Sequence, residues 1–285
     1  MGEDGDLWHR AILDPVFLGR VGRVRGLRIV DLGCGNGYLT RRWARAGARS
    51  VVGVDLSRRS LALARARDAE RPSGATFLRR DAADLRGIPS HGVDLVACHM
   101  ALMDLPNLEG AVREVARVLD PRGRFVFSIC HPCFDLDDRS AWEIERRAYS
   151  EIVWRKVWGY RDERVSRVPW KINDTEMAYT LTYHRTLETY SRALRDAGLA
   201  IRSMEEPRPQ PEAVRRSDQG PFLLQIPLHL VVEASPWPEP GATRAATAPG
   251  SRRKARTSPA AARRSGSGGR RRGNGSGRPG ASPGS

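Results

Sequence analysis

Between positions 27 and 130, short apolar runs alternate with stretches in which apolar residues recur every three or four positions. LRIVDLG (27–33) is a buried-strand run that ends in a Gly-rich turn, and TRRWARAG (40–47) reads as a helix closed by glycine. RSVVGVD (49–55) is a second strand; Ser57 can cap a helix in which Leu61, Ala64 and Ala66 keep helical spacing before RPSG breaks it. ATFLRRD (75–81) and VDLVACHMAL (93–102) supply a third and fourth strand. The helix LEGAVREVARVL places Val112, Val115, Val118 and Leu119 on one face; PRG then turns the chain into a fifth strand, RFVFSIC (124–130). Strands alternating with helices predict βαβ units on a parallel, doubly wound α/β sheet.

After Cys130 the alternation lapses for about fifty residues, which hold four of the seven tryptophans, Trp142, Trp154, Trp158 and Trp170. This reads as an aromatic-rich cap, an insertion over about 134–182 following the fifth strand. The pattern resumes with a helix in HRTLETYSRALRDAGL, opened by His184, then the strand AIRSMEE and the run PFLLQIPLHLVVEA (221–234). Pro227 inside that run predicts an edge position or a bulge. The folded domain is expected over 1–234. From 235 to 285 the chain is mostly Gly, Ser, Pro, Ala and Arg, too poor in large apolar groups to offset the entropy of ordering, and a disordered tail is expected.

Charge changes this picture little. The chain carries 48 Lys and Arg against 33 Asp and Glu, but the last 45 residues hold ten Arg, one Lys and no acid. A nucleic-acid partner is therefore a possibility for the basic tail rather than for the domain. MGEDGDLW leads into no apolar segment and no run approaches a membrane span, so a cytoplasmic protein is expected. Four cysteines are too few for a disulfide framework in a chain of 285 residues.

The sharpest chemical signal is VDLGCGNGYL, in which Gly33, Gly35 and Gly37 stand between a strand and a helix. Missing Cβ atoms let a ligand approach the loop amides and the helix N-terminus. A dinucleotide fingerprint would place its third glycine at Tyr38, and a phosphate-binding Walker loop would need Lys followed by Ser or Thr, which positions 38–40 do not supply. Asp55 ends the second strand, where a carboxylate can accept the hydroxyls of a ribose. Together the DLGCGNG loop, Asp55 in VVGVDLS, Asp81 in RRDAADL and the VDLVACHMAL strand resemble the class I S-adenosylmethionine (SAM) dependent methyltransferases of small-molecule type, over about 24–130 and more loosely to 234. The resemblance implies a Rossmann-like, mostly parallel seven-stranded sheet with an antiparallel last strand, and SAM as cofactor. It puts Asp31 at the methionine end, Gly33 and Gly35 against the cofactor backbone with Gly37 completing the loop, and Asp55 on the ribose. Asp81 would hold the adenine amino group, the Ala82 amide the ring and Leu56 its face, while His99 and Met100 approach the methionine or the acceptor. Asp31 and Asp81 could instead cap the helices that follow.

Methyl transfer from a sulfonium mainly needs an aligned nucleophile, and a hydroxyl or protonated amine also needs a base. His131, directly after the fifth strand, is the first candidate, with His184 and His99 behind it. Cys130-His-Pro-Cys133 has redox spacing but lacks the helix such a motif opens, and it is too few ligands for a metal, so no metal is expected. Trp158, Trp170 and Tyr183 are candidate walls for an apolar or aromatic small-molecule substrate. Two other readings stand beside this one: an RNA or DNA methyltransferase, against which CHMALMDLP lacks the Pro-Pro-aromatic clamp of many base-modifying enzymes, and a non-catalytic SAM-binding protein.

Overall fold

A computed structural model describes residues 9–171, 177–216 and 220–237 of the chain. The apolar runs become β1 (Arg28–Leu32), β2 (Ser50–Asp55), β3 (Thr76–Arg79), β4 (Val93–His99) and β5 (Leu119–Cys130). All five are parallel, in the order β3-β2-β1-β4-β5. The sheet continues through β11 (His229–Pro236) to β10 (Leu199–Glu205), and β11 runs antiparallel to both its neighbours. This is the seven-stranded sheet with a reversed last strand that the resemblance implies.

Strand alternation sorts the core onto two faces. Val96 and Cys98 of β4 and Phe125, Phe127 and Ile129 of β5 pack with α4 (Leu108–Val118) and α5 (Leu187–Asp196). Leu95, Ala97 and Val126 point the other way, onto Phe17 and Val21 of α1 (Asp14–Val21) and Leu39 and Trp43 of α2 (Tyr38–Arg45). Helices on both faces explain why the strands are nearly continuous apolar runs. Each buried Val, Leu, Ile or Phe among them stabilises the fold by about 1.5–3 kcal/mol. The third helix, α3 (Arg58–Glu70), is capped by Ser57 as expected, its side chain accepting from the Ser60 amide at 3.1 Å.

The structure corrects several local readings. The strand after Pro227 begins at His229 and lies inside the sheet, so the proline precedes it and needs no edge; the irregular register falls instead in β10, between Ile201 and Ser203. Leu119 begins β5 rather than ending α4, and His184 ends a strand rather than opening α5. The segment after β5 forms two antiparallel hairpins outside the main sheet, β6 (Ser140–Arg147) with β7 (Ser150–Val157) and β8 (Arg164–Lys171) with β9 (Met177–His184). Trp154, Trp158 and Tyr179 are each about half exposed and Tyr149 fully so, so these rings do not build a cap core. The basic tail lies outside the described residues, and no described helix is long and apolar enough to cross a membrane.

Candidate functional site

The parallel strands β1 to β5 all end on one edge, and the residues singled out in the sequence gather there because of that topology. In the loop after β1, Gly33 and Cys34 donate to the Val54 carbonyl at 2.8 and 3.0 Å, which seats the loop on β2. Gly35 then donates its amide to Asp55 Oδ2 at 2.8 Å, while Asp55 Oδ1 accepts from the Ser57 amide at 2.8 Å. One carboxylate thus ties the glycine loop to the start of α3, and each oxygen keeps a second lone pair for a ligand.

Glycine is required in this loop for two different reasons. A Cβ on Gly37 would lie 2.6 Å from the Phe77 ring and 3.0 Å from Ala64 at φ +74°, so this glycine packs the loop against the fold. A Cβ on Gly35 would meet nothing within 4 Å at φ +54°, so beside the amide held by Asp55 there is open space. Gly37→Ala is therefore expected to cost about 2–4 kcal/mol of stability, from a left-handed Cβ and a forced contact with Phe77. Urea unfolding checks this; a loss below about 1 kcal/mol would mean that the loop moves aside without strain.

The chemistry around that space suits an adenosyl cation. Asp31 is buried on the α2 side of β1 and accepts from Thr40 Oγ1 at 2.5 Å. Burial pushes its carboxyl up to about 7; the Thr40 bond opposes this and the Asp55 charge adds to it. A buried carboxylate paired with no cation among the described residues suits a cationic ligand such as an α-ammonium group. Asn36 in the loop has a buried side-chain N–H group with no hydrogen-bond partner among the described residues, an orphaned donor one residue from Gly35. Leu56, at 56% exposure next to Asp55, is an apolar side chain left in the open, as a face for a flat base would be. Asp81 beyond β3 is exposed and accepts from the Ala83 amide at 2.8 Å within a turn; no helix follows it for the carboxylate to cap, and Ala82 is buried. SAM fits the groups present.

His99 closes the floor at the end of β4. Its Nε2 lies 3.1 Å from Asp14 Oδ1 and its Nδ1 2.8 Å from Ser128 Oγ, and its ring packs on Phe17. Tyr38 Oη donates to the same Asp14 oxygen at 3.2 Å, so α1 is fastened to both the glycine loop and β4. Asp14 and Ser128 were not legible as site residues, because their partners lie 85 and 29 positions away. The proline in the first turn of α1 is the local signal that could have marked that helix start.

The other two histidines sit beyond the sheet. His131 is 4% exposed; Nδ1 accepts from the Cys133 amide at 3.1 Å, which leaves the proton on Nε2, 3.3 Å from Glu206. Burial lowers its pKa while Glu206 raises it. Both ring nitrogens are thus engaged, so His131 is poorly placed to receive a substrate proton. It instead lines a cavity of about 360 Å³ with Phe134, Leu187, Met204, Glu206 and Leu230. His184 donates from Nε2 to the Tyr160 carbonyl at 2.8 Å, within the insertion. Cys130 and Cys133 carry free thiols. Tyr183 lies under the Arg185 guanidinium, 4.9 Å from ring centre to Cζ, Trp158 is 52% exposed, and the Trp170 side chain lies outside those described. Asp104, which the sequence did not flag, is held in a turn after β4.

The chain matches a family model described as a methyltransferase domain over residues 30–127. It superposes on an S-adenosylmethionine dependent methyltransferase from Mesorhizobium loti with a TM-score of 0.65 and 32% identity, covering 82% of this chain and 99% of that one. A putative S-adenosylmethionine dependent methyltransferase from Listeria monocytogenes gives a TM-score of 0.63 and 26% identity over 79% and 96% of the two chains. A ubiquinone biosynthesis O-methyltransferase from Ralstonia nicotianae is 36% identical over 106 residues, which is 37% of this chain and 44% of that relative. The matches span about half the length of the curated relatives. With the glycine loop, the Asp55 anchor and the reversed last strand all in place, and with near-complete coverage of a relative at 32% identity, this chain belongs to the class I SAM-dependent methyltransferases.

Proposed function

We propose that this protein transfers the methyl group of SAM to an oxygen, or failing that a nitrogen, of a small-molecule acceptor. The observation that carries the reading is the Gly35 amide held on Asp55 beside open space at the carboxyl edge of the sheet. When bound there, SAM supplies a methyl carbon that is already electrophilic. The protein's part is then to grip the cofactor, exclude water and orient the acceptor. Asp55 takes the ribose hydroxyls, Asp31 the ammonium end, Leu56, Asp81 and Ala82 the base, and Gly33 and Gly35 let the cofactor backbone approach. His99, locked between Asp14 and Ser128, keeps the floor beneath the reacting atoms rigid. The choice of oxygen draws on the part-length similarity to ubiquinone biosynthesis O-methyltransferases.

In this reading the cavity beyond β5 takes the body of the acceptor, and the atom to be methylated reaches out of it towards the cofactor edge of the sheet after β4. Phe134, Leu187, Met204 and Leu230 make its walls apolar, and His131 and Glu206 add polar groups, a mixture suited to a small ring or chain bearing a few polar substituents. Calorimetry with SAM and transfer of labelled methyl to a panel of phenols and primary amines test the function. Binding without transfer to any acceptor would leave only a SAM-binding protein. Met204→Trp, which fills the cavity, is expected to raise the acceptor KM about tenfold or more at unchanged SAM affinity. An unaltered acceptor KM would place the acceptor elsewhere.

A further inference from the structure

We propose that Asp104 is the proton acceptor for the methyl acceptor, which is therefore a hydroxyl or a protonated amine rather than a group that is already nucleophilic. The proposal rests on the functional reading above and adds to it a residue and a substrate class. Asp104 ends the short turn Leu102–Asp104 after β4, and its amide donates to the Ala101 carbonyl at 3.0 Å. Ala101 is the residue whose Cβ would lie 2.4 Å from a Cβ built on Gly33. The carboxylate thus stands one tight turn from the contact that seats the glycine loop, on the edge where the cofactor residues meet. Its Oδ1 accepts from Thr182 Oγ1 on β9 at 2.8 Å, and Oδ2 has no hydrogen-bond partner among the described residues. One oxygen is fixed by the insertion, and the other is left to act.

The surroundings suit a base that works near neutrality. Asp104 is partly buried, and burial pushes its carboxyl up to about 6, against the Thr182 bond and with help from the Asp137 charge. Cys98 on β4, Cys130 on β5 and Tyr190 on α5 all feel its charge, and none of them neutralises it. Arg185, the nearest cation in sequence to Thr182, donates from Nη2 to the Leu105 and Pro106 carbonyls, at 2.6 and 3.3 Å, and lies over the Tyr183 ring, while its buried Nη1 has no hydrogen-bond partner among the described residues. The sequence-derived bases are less suitable. His131 has both nitrogens engaged, His99 is held between Asp14 and Ser128, and His184 is bonded inside the insertion. In the step itself the acceptor's O–H or N–H bond breaks and its electron pair stays on the heteroatom, which forms the new bond to the methyl carbon. The C–S pair returns to sulfur, and the proton passes to Asp104 Oδ2 and then to water.

Asp104→Asn keeps the shape and the Thr182 bond while removing the base. SAM affinity by calorimetry is expected to stay within about twofold, while kcat falls about 100-fold or more with little change in acceptor KM. The wild-type rate is expected to rise with pH through about 6, the value at which Asp104 ionises, and this limb disappears in the Asn variant. Thr182→Val removes a bond that favours the ionised form, so it shifts the limb to higher pH, an effect that a merely structural residue would not produce. Carbon-13 carboxyl NMR of the protein without SAM provides an independent readout: a resonance titrating near 6 in the wild type and missing from the Asn variant. Wild-type transfer with an undiminished Asn variant, a limb that survives in it, or an Asp104 resonance titrating in the ordinary carboxylate range each overturns the assignment of Asp104 alone. Absence of transfer by the wild-type protein to any phenol or amine overturns the functional reading, and this assignment with it.

Discussion

Asp55→Ala is expected to weaken SAM binding by roughly 100- to 1,000-fold while leaving a folded protein. The wild-type carboxylate accepts from the amides of Gly35 and Ser57, both at 2.8 Å, and in the proposed complex it also accepts from two ribose hydroxyls. Hydrogen bonds to a charged acceptor contribute about 1.5–3 kcal/mol each; at the lower end of that range, which suits a site open to water, losing the two made only in the complex gives about 3–4 kcal/mol, or two to three powers of ten. The two amides act on a different quantity. Both belong to exposed or partly buried backbone that water can reach, so their release lowers the stability of the free protein by about 1–2 kcal/mol. Thermal unfolding without ligand reads the second effect and calorimetry the first, which keeps them apart. Asp55→Asn, which retains one acceptor oxygen, should fall between wild type and Ala in both. Near-wild-type affinity in the Ala variant would remove the sugar from this carboxylate and with it the placement of the cofactor.

What the sequence revealed and what it hid divide along a physical line. Strands β1 to β5, the glycine loop and Asp55 were legible because each is written locally, as an apolar run, a spacing of small residues or an acid at a strand end. Parallel topology then brings those strand ends together without further information. The partners of the histidines were not legible, since a ring's role depends on what faces it. His131 looks like a base at the end of a strand until the Cys133 amide and Glu206 take its two nitrogens. Asp104 looks like a loop acid until Thr182, 78 positions later, fixes one of its oxygens. The insertion hid its form for a related reason. Its strands pair only with each other, so their residues alternate between two partly exposed faces and give no buried run to detect.

Asp31→Asn is expected to stabilise the free protein above neutral pH and to weaken its hold on SAM. With its carboxyl raised to about 7 against an ordinary 3.8, the folded protein keeps a proton that the unfolded chain has already lost. Below about pH 4 both states are protonated and nothing is lost; between about 4 and 7 stability falls as pH rises, and above 7 the loss is complete. At pH 8 the Asn variant, which never ionises, escapes a penalty on the order of 4 kcal/mol, and the difference between the two proteins should close as the pH is lowered. Thr40 can still donate to the Asn oxygen, so its bond survives the change. Such a penalty persists in a fold when the charge is used, and an ammonium group brought against Asp31 would use it. Binding SAM near pH 7 should then drive a proton off Asp31, visible as a binding heat that varies with the ionisation enthalpy of the buffer. In the Asn variant that variation disappears and affinity drops about 10- to 100-fold. Equal affinity in the two proteins, or a buffer dependence that survives the substitution, would mean that the ammonium end lies away from β1 and that the buried acid serves only Thr40.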